Sequence, residues 1–178
     1  MKKVILFAAI LFSSISIMSV QAQTTTSDEG QAKLTLNLSA VQSIKVGGDV
    51  VIDYTTADDY KNGKGSTDVT TLTVVSAGGY IITAQAEDLK DATNSTSPVI
   101  ESSTIEVTAT GISGATGAGA GTLEQDAAKA ALITSTQGGV DLQYTVSYKG
   151  TGSNEYMKNY NGGGRNYTTT VLYTIAAN

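Results

Sequence analysis

The 178-residue chain contains no cysteine, no histidine and no tryptophan. Without Cys and His it can build neither a Ser-His-Asp nor a Cys-His catalytic arrangement, and no thiolate or imidazole metal site. Without disulfides, a fold must be held by sheet pairing, core burial or partners. Lys and Arg are outnumbered by Asp and Glu, 11 to 16, for a formal charge of −5. An acidic surface argues against nucleic acid as a partner and offers no basic patch to anionic lipids. Proline occurs once, at Pro98, so strands elsewhere keep their full set of N–H donors.

Only the first two dozen residues are strongly apolar. MKKVILFAAILFSSISIMSVQAQ has a basic start at Lys2 and Lys3, an apolar run from Val4, and a small-x-small ending at Val20-Gln21-Ala22. This is the pattern of a secretory signal peptide cleaved after Ala22. The run is broken by serines and falls short of the roughly 20 apolar residues of a membrane span. The expected organisation is therefore a signal peptide over 1–22, a polar tether and candidate strand over 23–40, and one domain over 41–178. The mature chain is expected to be exported to the cell surface by way of the periplasm, without membrane insertion.

What remains is rich in Thr, Val, Ile and Tyr, residues that fit a pleated, half-buried surface. Strands are predicted near 33–46, 49–55, 68–75, 79–87, 98–109, 139–149 and 166–177, punctuated by Gly/Asn/Asp turns. In GVDLQYTVSY, Val140, Leu142, Tyr144, Val146 and Tyr148 share one face. The end of the chain repeats this with Tyr167, Val171, Tyr173 and Ile175, and Val50, Ile52 and Tyr54 form another inward set. The expected fold is all-β: an immunoglobulin-like antiparallel β-sandwich of about seven strands with one short helix. That helix is predicted in the Ala-rich DAAKAALI after Thr122-Leu-Glu-Gln125, a capping-box spacing. The preceding GISGATGAGAGT reads as a flexible connection.

Chemistry is sparse. The close acidic groups, Asp58-Asp59 and Glu87-Asp88…Asp91, sit in turn-like sequence where carboxylates stay solvated, and no enzyme is expected. The 53–68 stretch lacks the order of a calcium loop, and the Gly-rich 114–121 stretch lacks the Gly-Lys-Ser/Thr ending of a phosphate loop. No metal or cofactor is expected. Tyr156, Tyr160 and Tyr167 surround an Asn/Gly-rich loop with Lys158 and Arg165. Tyr156, Tyr160 and Arg165 are candidates for a sugar or protein contact surface, or else the rings cap the end of the sandwich.

The most informative segment is AKLTLNLSAV, Ala32 to Val41. Leu34, Leu36, Leu38 and Ala40 alternate with Thr35, Asn37 and Ser39, behind the polar tether QTTTSDEGQ. A tether followed by an alternating strand is what strand donation requires: the donor's main chain pairs with an exposed sheet edge, and alternate side chains fill pockets. Burying three leucines would contribute roughly 5–9 kcal/mol per junction before ordering costs.

With its AKLTLNLSA start and YTTTVLYTIAA end, this small, Thr/Gly-rich chain resembles the fimbrial subunits of Gram-negative bacteria assembled by the chaperone–usher route. That resemblance implies an incomplete sandwich, filled first by a periplasmic chaperone at the outer-membrane usher and then by the next subunit's N-terminal strand. It implies donor roles for Leu34, Leu36, Leu38 and Ala40, and an acceptor groove lined on one side by Val171, Tyr173 and Ile175. The expected function is a structural subunit of an adhesive extracellular pilus, a homopolymer of this chain. The alternative is a self-complete secreted sandwich that binds a glycan or protein.

Overall fold

The structure, a computed structural model of the chain, describes residues 31–94, 98–126, 128, 130–159 and 164–178. The expected signal peptide and most of the tether lie outside the described residues, as does Tyr160. The chain divides into two units, Met1–Leu36 and Asn37–Asn178. Of the first, residues 31–36 are described, as exposed chain without strand or helix.

The second unit is an all-β sandwich. In chain order its elements are β1 (Gln42–Val46), α1 (Ala57–Asn62), β2 (Lys64–Gly65), β3 (Thr70–Ser76), β4 (Tyr80–Ala86), β5 (Lys90–Asp91), β6 (Ile105–Ile112), β7 (Ala120–Thr122), β8 (Ala131–Ser135), β9 (Gly139–Gly150), β10 (Tyr167–Thr168) and β11 (Val171–Ala177). Among the described residues, seven strands have five residues or more, the number the alternation predicts. One sheet runs β1-β3-β9-β6-β7, with β2 also on β9; the other runs β11-β4-β8, and β5 pairs with β10. Every ladder between these strands is antiparallel.

Period-two burial explains the layers. β3 and β4 alternate buried and half-buried residues throughout. Leu72, Val74, Tyr144, Val146 and Val107 from the first sheet meet Tyr80, Ile82, Ala84, Ile133 and Tyr173 from the second in one core. Two phenol pairs bridge the sheets. Tyr80 and Tyr144 share a hydrogen bond of 2.6 Å, and Tyr144 donates to the Thr116 carbonyl at 2.5 Å. Four residues along β9, the Tyr148 and Tyr173 hydroxyls pair in the same way. Burial pushes the Tyr144, Tyr148 and Tyr173 phenols well above the ordinary tyrosine range.

Three expectations are corrected. No helix forms among the described residues of the Ala-rich segment: Ala131–Ser135 is β8, pairing with β4, because Ile133 is needed in the core. The helix is α1, where the Thr56 hydroxyl accepts from the Asp59 N–H at 3.2 Å and the Asp59 carboxylate accepts from the Thr56 N–H at 2.8 Å. The Thr55 N–H at 2.9 Å and the Thr56 N–H, both donating to this carboxylate, hold the Asp59 carboxyl well below the usual carboxylate range. Residues 33–41 form no strand. Residues 49–55 do alternate, Val50, Ile52 and Tyr54 half-buried between exposed neighbours, but no ladder reaches them.

Candidate functional site

The two long rims of the sandwich differ. Along one, the segment between β6 and β8 is sewn to both sheets. The Gly119 carbonyl accepts from Ala109 of β6 at 2.8 Å, and the Gly117 carbonyl from Thr134 of β8 at 2.9 Å. Farther on, Leu123 donates to Ile105 at 2.9 Å while the Glu124 carbonyl accepts from Ala86 of β4 at 3.1 Å. Glycine is required here. At Gly117, with φ +78°, a Cβ would lie 1.7 Å from the Thr134 carbonyl oxygen. The GISGATGAGAGT stretch is thus a seal, not a loose connection.

The opposite rim is formed by β1 and β11, which end their respective sheets and run near each other with no ladder between them. Antiparallel pairs alternate between exchanging both hydrogen bonds and none. The Asn178 N–H bonds to Gly79 at 3.1 Å, so Ala176, Thr174 and Leu172 turn their main-chain groups toward β4. The N–H and C=O of Val171, Tyr173, Ile175 and Ala177 then point away, to the free edge. On β1, Val41 and Gly47 bond to β3 partners at 2.9 and 2.7 Å, which leaves Gln42, Ile44 and Val46 facing outward. None of these outward groups has a partner among the described residues.

The side chains of this rim are incompletely covered. Ile44 from β1, Val50 and Ile52 from the unpaired stretch after it, and Val171 and Ile175 from β11 pack on the core but stay half-buried. Tyr173, between the last two, is buried and tied to Tyr148. Among the described residues, the rim therefore offers a bare strand edge above an apolar trough. Its groups are main-chain amides and aliphatic side chains, which bind by hydrogen bonding and burial.

The candidate donor residues lie in exposed chain without strand or helix: Leu34, Leu36 and Leu38 are 94%, 77% and 84% exposed. Such exposure of three alternating leucines departs from the usual fate of large aliphatic residues. Ala40 is exposed as well. Val171, Tyr173 and Ile175 share the inward face of β11.

Of the candidate contact residues, the two that are described, Tyr156 and Arg165, are engaged internally. The Tyr156 hydroxyl meets Thr104 Oγ1 at 2.9 Å and the Thr104 carbonyl at 3.2 Å, and its ring stands edge-on to Tyr54 at 5.2 Å. Arg165 ion-pairs with Asp91, whose side chain is fully buried and also accepts from the Thr93 N–H at 2.9 Å. Tyr54, held by Thr151 and Lys64, has its phenol pushed up to about 12, chiefly by burial. Beside it a shallow cleft is lined by Thr55, Thr56, Tyr60 and Met157. A second, acidic cleft holds Asp88, Glu101, Glu124 and Asp126. No group of three or more His, Cys, Asp or Glu among the described residues is placed to hold a metal ion. No helix among the described residues is long and apolar enough to cross a membrane.

The rim residues that composition and spacing did not single out as a groove are Ile44, Val50 and Ile52. The signal was available, since they continue one inward face across Gly47-Gly48. Compared with models of known protein families and with the sequences of curated proteins, the chain matches none.

Proposed function

We propose that the chain is a structural subunit of an extracellular filament, joined to its neighbours by donation of the segment carrying Leu34, Leu36, Leu38 and Ala40. The observation that carries this reading is a complementarity within one chain. A segment of alternating leucines that forms no strand of its own leaves them in solvent, and one rim of the sandwich has a strand edge and an apolar trough that none of the described residues fills. Each lacks what the other supplies.

Donation to a second molecule is favoured over return to the same rim by the connection. Ala40 is separated from β1 by Val41 alone, and Val41 is already bonded to Ala77. A strand reversing there would need a hairpin turn at Leu38-Ser39-Ala40, which has neither Gly nor Asn at the positions where two-residue hairpins demand positive φ. An added strand also removes the hazard of two bare edges. On this reading the partners are further copies of the chain, with a periplasmic chaperone and an outer-membrane usher of the fimbrial type covering the rim in transit.

The test is the mature protein run unboiled in SDS, with and without residues 23–40. Ladders that collapse on boiling and vanish on truncation are expected. A monomer at every concentration would instead assign the chain to closed, ligand-binding sandwiches.

A further inference from the structure

We infer that the glycine-rich end of the sandwich, whose loops carry no charged side chain and on which Val41, Ile112 and Val140 are exposed, is a packing surface for the next copy of the chain. This rests on the strand-donation reading and adds where consecutive subunits touch.

The first argument is slack. The last inward donor position is Ala40, and the chain is fixed at Val41 by its bond to Ala77. At ~3.3–3.6 Å per extended residue, nothing between them can act as a spacer. A sandwich that accepts the strand must abut the end from which the strand leaves.

The second argument is what that end is made of. The loops Ala77–Gly79, Ser113–Ala115 and Thr136–Gly139 converge there. The position of Gly138 packs on Ser76 and Ala77, that of Gly79 on Ser135 and Thr136, and Leu142 reaches both Gly114 and Gly139. None of these three loops carries a charged side chain, and Asp141, next to Val140, is exposed beside them. Val140 is 73% exposed, Val41 54% and Ile112 41%. The other end, by contrast, carries Asp58 and Lys61 on α1 and Glu155 and Lys158 in the 3-10 turn Glu155–Asn159. An uncharged surface of small residues costs little to desolvate and allows close backbone approach, while its exposed aliphatic side chains gain from being covered.

The third argument is polarity. A donated strand antiparallel to β11, the slightly stronger pairing, has its Ala40 end beside Val171, at the α1 end of the acceptor. The neutral end of one copy then meets the α1 end of the next. That contact is head-to-tail and propagates as an open filament.

Two alterations test this outside donor and trough: the pair Val140→Asp with Ile112→Asp, and a Gly-Ser-Gly-Ser insertion between Ala40 and Val41. The insertion adds about 11 Å of r.m.s. slack. Both should keep the unboiled ladder, which reads donation, while electron micrographs show filament persistence length falling several-fold. Filaments of unchanged stiffness in both variants would overturn the inference and leave donation standing. No ladder from the unaltered protein would overturn both.

Discussion

Replacing Leu36 with Asp separates fold from assembly because the residue plays opposite parts in the two. In the single chain Leu36 is 77% exposed, so the substitution removes almost no packed surface. Its effect on the unfolding midpoint should stay within the roughly 0.5 kcal/mol typical of surface positions. In a joint, the leucine would lose about 1–2 kcal/mol of transfer free energy once its small residual burial is discounted. A carboxylate set among Val171, Ile175 and their neighbours without a hydrogen-bond partner adds about 2–3 kcal/mol. The sum, about 3–5 kcal/mol, lowers the association constant of each joint by roughly two to three and a half orders of magnitude. Leu36→Met, close in volume, should restore most of it. Sedimentation of the purified variants gives the joint, and a thermal melt of the monomeric fraction gives the fold. A melt lowered by many degrees would place Leu36 in its own core, and unchanged polymers would remove it from the joint. Either result refutes the reasoning.

Four further outcomes follow from the packing. Gly117→Ala places a methyl group against the Thr134 carbonyl at a positive φ and should cost at least about 2 kcal/mol, seen as a lower urea midpoint. Arg165→Ala uncovers the buried Asp91 carboxylate and should cost about 3–5 kcal/mol. Losing Lys149, which faces Glu106 at 3.9 Å in solvent, should cost under about 1 kcal/mol. Because the Tyr144, Tyr148 and Tyr173 phenols stay protonated in the folded chain beyond their ordinary value of 10.0, the unfolded chain loses its protons first. Stability should therefore be full below about pH 10 and fall as pH rises further, measured as the denaturant midpoint against pH.

Alternation made the layers legible. GVDLQYTVSY and YTTTVLYTIAA announce which residues face the core; β11 keeps its face and β9 keeps its own from Leu142 to Tyr148. Val140, expected inward, is exposed where the pairing with β3 shifts register between Val74 and Ser76. What alternation cannot announce is a ladder partner. Val50, Ile52 and Tyr54 alternate as a strand would, yet lie beyond the start of β3 with no described strand paired to them, so the 49–55 strand does not form. Local propensity misled at Ala131–Ser135, where Ile133 gains more from the core than the alanines gain from a helix. It was also overlooked at Thr56-Ala-Asp-Asp59, whose cap spacing is short but complete. The glycines at 117 and 119 read as looseness because composition does not reveal close approach; only the carbonyls of Thr134 and Leu132 explain them. The unfilled rim was the least legible feature, since it is a property of edges that do not meet.

Residue-resolved hydrogen exchange tests the central claim most directly. In monomeric Leu36→Asp protein, the amides of Val171, Tyr173, Ile175 and Ala177 should exchange as unpaired groups, while those of Leu172, Thr174 and Ala176 stay protected by β4. In the assembled unaltered protein all seven should be protected. Protection of the first set in the monomer, or continued fast exchange in the assembly, would contradict the account.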